Sequence, residues 1–127
     1  MNTKILLILV AVLAIMLIVI FIAAIYLLPR SPKPITVDKG DEFILVLDSN
    51  KTTGFGWQLA KPLNQNMLKL LQTDYIPSKT NLVGAGGKEE WTFRAVNSGK
   101  AIIPLKYVRP WEKIKPAKEK TFIIIIK

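Results

Sequence analysis

Residues 91–107 read Trp-Thr-Phe-Arg-Ala-Val-Asn-Ser-Gly-Lys-Ala-Ile-Ile-Pro-Leu-Lys-Tyr. Trp91, Phe93 and Ala95 alternate with Thr92 and Arg94; Ile103, Leu105 and Tyr107 alternate with Ile102, Pro104 and Lys106. Successive side chains of a strand point to opposite faces, so a period of two lines one face with apolar groups and leaves the other to water. Asn97-Ser98-Gly99-Lys100 between the two runs carries the residues of a turn. Two strands separated by a turn are therefore predicted here. Pro104 has no N–H to give to a ladder and predicts an edge, a bulge or an irregular point in the second strand.

The same period recurs outward from this pair. Phe43, Leu45 and Leu47 alternate with Ile44 and Val46, bounded by Gly40-Asp41 and Asp48-Ser49. Phe55, Trp57 and Leu59 alternate with Gly56, Gln58 and Ala60. Phe122 to Ile126 is continuously apolar, which suits a central strand buried on both sides; Lys120 and Lys127 flank it as gatekeepers against edge-to-edge association. Leu63 to Leu71 fits either a short helical turn or a further strand. Six or seven short strands with turns between them predict an all-β, immunoglobulin-like β-sandwich of about seven strands, with a small β-barrel as the alternative.

The N-terminal part is different. Ile5 to Leu28 contains no charge, Gly or Pro. As a helix it extends about 36 Å at ~1.5 Å per residue, enough for a hydrocarbon core of about 30 Å with tilt. Secretory signals usually have apolar regions of only about 7–15 residues. Residues 1–28 are therefore expected to be an N-terminal signal anchor, a transmembrane helix; a cleaved signal and a secreted domain are the alternative. Lys4 flanks one side of the run and Arg30, Lys33 and Lys39 the other, so the positive-inside bias does not choose an orientation. The signal-anchor pattern places the remainder outside the cytoplasm. Residues 29–34, with three prolines in six positions, form a stiff linker, and residues 35–127 form the folded domain.

The chain has no Cys and no His. A disulfide framework, a thiolate metal site, imidazole catalysis and the commonest zinc ligation are thereby excluded. Asp41 and Glu42 are adjacent on a predicted strand and point apart, so they do not form an acid–base pair. No cofactor, no metal and no enzymatic activity are expected. The net charge of +9 is spread over dispersed lysines with only three arginines, and no nucleic-acid-binding module is recognisable.

Three segments between predicted strands remain. Asn50-Lys51-Thr52-Thr53-Gly54-Phe55 combines a turn-forming Asn, two χ1-stiff threonines and a Gly free to take positive φ. By itself it also fits a plain hairpin turn. Gly84-Ala85-Gly86-Gly87 reads either as a flexible connector or as backbone open to a partner's main chain. Arg109-Pro110-Trp111 is conformationally restricted by its proline. Trp57 and Trp91 lie on alternating strands and suit the core, whereas Trp111 precedes the polar stretch Glu112-Lys113 and suits an interface anchor.

Together and in this order the three segments resemble the loop motifs of the chagasin family of cysteine-protease inhibitors. Asn50, Thr52, Thr53, Gly54 and Phe55 match an Asn-Pro-Thr-Thr-Gly-aromatic motif; Gly84, Gly86 and Gly87 match Gly-x-Gly-Gly; Arg109, Pro110 and Trp111 match Arg-Pro-Trp. Lys51 stands where the family has proline. The resemblance covers residues 35–127 and implies a monomeric sandwich whose three loops form a wedge in the cleft of a papain-like cysteine protease. It implies that Thr52 and Thr53 lie across the catalytic cysteine, that the glycine loop pairs on the non-primed side and that Trp111 packs on the primed side. Inhibition is then reversible and non-covalent. A membrane-tethered adhesion or assembly module on the same scaffold is the competing reading.

Overall fold

The computed structural model describes residues 2–80 and 82–127. It separates into two compact units, Met1–Ser31 and Pro32–Lys127. The first is one helix, α1 (Thr3–Leu27), opened by the Asn2 side chain accepting from the Lys4 N–H at 3.1 Å. It is apolar and long enough to cross a membrane. None of its residues is buried against protein, and a helix that is apolar all round, with no polar face to turn toward water, belongs in lipid or in a protein interior.

The second unit contains β1 (Ile35–Val37), β2 (Glu42–Ser49), β3 (Gly56–Leu59), β4 (Leu68–Pro77), β5 (Gly87–Ala95), β6 (Gly99–Val108) and β7 (Lys118–Ile126). They form a four-stranded sheet in the order β1-β7-β6-β3 and a three-stranded sheet in the order β2-β5-β4. All pairings are antiparallel except β1 with β7. The sheets face one another across a core in which Leu47, Leu68, Phe93, Ile103, Leu105 and Ile124 are fully buried. Each such side chain contributes about 1.5–3 kcal/mol relative to exposure. This is the immunoglobulin-like sandwich expected from the alternating runs: Leu45, Leu47, Trp91, Phe93, Ala95, Ile103, Leu105 and Tyr107 point inward, and Ile44, Val46 and Ile102 point out.

The segment 91–107 crosses between the sheets rather than forming a hairpin, since β5 and β6 belong to different layers. Phe122–Ile126 is central, as expected, but only one of its faces is fully buried: Ile124 and Ile126 lie in the core between the two sheets, whereas Ile123 and Ile125, on the opposite face, are half-buried. Leu63–Leu71 resolves into a turn closed by Met67 and Leu68 N–H groups on the Asn64 carbonyl, followed by β4.

Of the edge, bulge or irregular point expected at Pro104, the structure has an edge. Pro104 sits within continuous β6 pairing to β7. Its carbonyl accepts from the Ala60 N–H at 2.8 Å, so its nitrogen faces the same side, just beyond the end of the edge strand β3. The missing donor therefore falls outside both ladders. The bulge is in β4, where Leu71 is left without a partner between Leu70 and Gln72.

The strands end in a common set of loops at one pole: β2, β4 and β6 finish there, and β3, β5 and β7 begin there. Gly87, expected in a loop, is the first residue of β5, paired with both Ser49 and Pro77. A Cβ at Gly87 would collide with the Ile76 carbonyl oxygen and lie 2.7 Å from the Tyr75 hydroxyl. Gly87→Ala is expected to destabilise the domain by about 2 kcal/mol, the usual cost of forcing backbone apart. Urea unfolding checks this, and an unchanged midpoint would show that β4 yields freely.

Candidate functional site

Asn50 to Phe55 connects β2 in one sheet to β3 in the other, so it spans the top of the sandwich instead of closing a hairpin. Lys51–Thr53 form a single 3-10 turn. Asn50 caps it: its Oδ1 accepts from the Thr52 N–H at 3.1 Å and from the Thr52 hydroxyl at 2.6 Å. The Thr53 hydroxyl donates to the Asn50 carbonyl at 2.6 Å. Gly54 ends the turn at φ 80°, its N–H donating to the Lys51 carbonyl at 3.1 Å. Asn at the N-cap and Gly in the left-handed C-cap are what a short turn of this kind requires. Lys51 occupies the first helical position, where a proline also fits.

The other two loops attach to opposite flanks of this one. On one side the Asn50 amide Nδ2 donates to the Gly84 carbonyl at 3.0 Å, and Gly86 lies against Ser49 and Asn50. On the other, Arg109 Nε donates to the Thr53 carbonyl at 2.9 Å. The Arg109 guanidinium lies 4.3 Å from the Phe55 ring centroid and donates to Glu112 Oε1 at 3.1 Å. The Trp111 indole rests on Gly54, so closely that a Cβ there would overlap the ring. Trp111 is nevertheless 68% exposed, whereas Trp57 and Trp91 are buried.

The residues singled out in sequence therefore share one surface. Lys51, Thr52, Thr53, Gly84, Gly86, Pro110 and Trp111 are exposed, and Asn50, Gly54, Phe55, Ala85, Gly87 and Arg109 are half-buried supports. Phe55 precedes β3 and stacks on Tyr107 at 5.2 Å; Tyr107 meets Trp57 at 5.0 Å and its hydroxyl accepts from the Asn50 N–H at 2.8 Å. Loop positions are thus referred directly to the core. Chemically the surface offers hydroxyls, open backbone and an indole, but no nucleophile with an adjacent base. Among the described residues no group of His, Cys, Asp and Glu is placed to hold a metal ion.

Sequence reading missed Glu89. This carboxylate is buried beneath the central loop. It accepts from the Ser49 hydroxyl at 2.5 Å, the Trp57 N–H at 3.2 Å and the Trp91 Nε1–H at 3.4 Å. Ser49 and Trp57 are the two stems of the loop, one in each sheet. The available signal was its register: Glu89 shares the inward parity of Trp91, Phe93 and Ala95.

Residues 36–126 match the family model described as Chagasin family peptidase inhibitor I42. Chagasin of Trypanosoma cruzi is 32% identical over 80 residues, covering 61% of this chain and 73% of that protein. The crystal structure of the cysteine protease inhibitor EhICP2 from Entamoeba histolytica superposes with a TM-score of 0.63 at 23% identity, covering 74% of this chain and 85% of that one. PbICP-C, solved in complex with falcipain-2, has a TM-score of 0.52 at 18% identity, covering 74% of this chain and 84% of that one.

Removing the Glu89 carboxylate leaves buried donors from both sheets without an acceptor, each costing about 1–3 kcal/mol. Glu89→Ala is therefore expected to lower stability by about 3 kcal/mol or more, with Glu89→Gln recovering part of it through its remaining acceptor oxygen. Chemical denaturation of the three proteins distinguishes this from a dispensable surface acid, for which all midpoints would coincide.

Proposed function

The chain belongs to the chagasin family of peptidase inhibitors, and from that premise we propose that it inhibits papain-like cysteine proteases reversibly, filling the active-site cleft with the three loops. The observation that carries this reading is the joining of the loops side by side by Asn50–Gly84, Arg109–Thr53 and Trp111–Gly54. A set of loops already held in one arrangement loses little freedom on binding, so more of its contact energy becomes affinity.

In this reading the 3-10 turn bearing Thr52 and Thr53 lies over the catalytic cysteine. No reactive group is present there, and the turn's carbonyls are engaged internally at Asn50, Lys51 and Thr53, so occlusion is steric. Gly84 and Gly86 leave backbone open to main-chain pairing on the non-primed side. Trp111 packs on the primed side, its indole supported by Gly54 but free on its outer surface. Helix α1 anchors the protein in a membrane, with the linker of residues 29–34 carrying the inhibitor domain outside the cytoplasm.

Titrating papain with the full chain in detergent tests the reading: activity is lost stoichiometrically and returns on dilution. Undiminished activity at micromolar inhibitor would reject it. Trp111→Ala is expected to weaken inhibition by about 2 kcal/mol, roughly 30-fold, while thermal unfolding scarcely moves because the ring is exposed. Unfolding of this variant in place of weakened inhibition would make Trp111 a structural residue. Protease added to intact cells is expected to digest the domain; its protection would place the domain on the cytoplasmic side.

A further inference from the structure

The loop-bearing pole has an uneven charge balance. Of its carboxylates, Asp48 is ion-paired with Lys88, Glu112 with Arg109, and Glu89 is buried, while Glu119 near the start of β7 is exposed. The Lys88 ammonium, hydrogen-bonded to Asp48, holds that carboxyl below its ordinary range, with Lys118 and Lys120 adding to the effect. Lys51, Lys79, Lys113 and Lys115 lie in the loops of the same pole, all exposed, and none has a carboxylate partner among the described residues.

Of these, Lys51 has an aromatic partner. Its Nζ lies 4.5 Å from the centroid of the Tyr75 ring, and Tyr75 is half-buried at the top of β4, beside Gly87. The ammonium therefore lies on the flank where the capped turn meets the glycine loop, and Arg109 and Trp111 contact the other flank. An ammonium over an aromatic face keeps N–H donors free on its outer side. A cation placed in advance between two binding loops favours a partner with a carboxylate opposite, and penalises one with a cation there.

We propose that Lys51 is a specificity-determining residue, whose ammonium, placed over Tyr75, selects proteases with a carboxylate on the cleft wall facing the glycine loop. This rests on the cleft-filling reading above and adds the charge class of the target. The loose lysines around it strengthen attraction to an acidic cleft at a distance, so association slows as salt is added.

The test is a double-mutant cycle between the full-length inhibitor, wild type and Lys51→Gln, and a papain-like protease with an acidic residue in its non-primed cleft wall, wild type and with that residue changed to its amide. Inhibition constants are measured at low and physiological salt. Lys51→Gln is expected to weaken inhibition of the acidic protease about tenfold more than of its amide variant, the coupling of a partly desolvated charge pair. Lys51→Arg, which keeps the charge, restores most of the loss. Equal losses against both proteases, or no rescue by arginine, would overturn the role of Lys51 while leaving inhibition itself standing. Failure of the wild-type inhibitor against both proteases would instead reject the cleft-filling reading on which the proposal is built.

Discussion

One buried carboxylate holds the two sheets in register where it matters. Glu89 in β5 takes the Ser49 hydroxyl from the end of β2 and the Trp57 N–H from the start of β3. These are the two points between which the central loop is strung, and they belong to different layers. A sandwich core fixes the spacing of its sheets by dispersion and burial, which are non-directional. Hydrogen bonds to a charged acceptor are directional and about twice as strong as neutral ones. Their placement beneath the loop converts general packing into a defined separation of the loop's ends. The indole N–H of Trp91 completes the acceptor's shell, consistent with the absence of unsatisfied buried side-chain polar atoms among the described residues.

Above that base, rigidity passes outward through Tyr107. Its ring stands between Trp57 in the core and Phe55 at the loop, and its hydroxyl holds the Asn50 N–H. Asn50 then performs several tasks with one side chain: it caps the 3-10 turn and binds the glycine loop through its amide. Arg109 does the corresponding work on the other flank. The central turn is thus the reference to which both neighbours are fastened. The glycine loop and the Trp111 loop are positioned by it, not by each other.

This arrangement suits the proposed mode of inhibition, in which a small domain acts on an enzyme by shape. On the proposed reading the surface consists of features that a cleft can receive: a closed turn, uncovered backbone and one large ring. The stabilising groups lie underneath, where they do not compete for the partner. Cation–aromatic contacts flank the turn on both sides, Lys51 on Tyr75 and Arg109 on Phe55. They differ in one respect, since Arg109 is neutralised by Glu112 and Lys51 is not. That difference gives the surface its electrostatic direction.

The all-strand architecture was written in the amino-acid order, because period-two alternation in 43–47, 91–95 and 103–107 can bury only one face of an extended chain. The membrane-length helix was equally legible, from an uninterrupted apolar run. The loop motifs could be recognised, and Trp111 could be separated from Trp57 and Trp91 by its polar surroundings. Which strands share a sheet was not legible: the segment 91–107 has the local pattern of a hairpin yet changes layer, since alternation specifies a buried face but not a neighbour. Nor could local pattern show that Gly87 makes room for the Ile76 carbonyl, that Glu89 joins Ser49 to Trp57, or that Lys51 settles on Tyr75. Those are contacts between residues far apart along the chain, and their existence depends on the sheet order that only the tertiary structure decides.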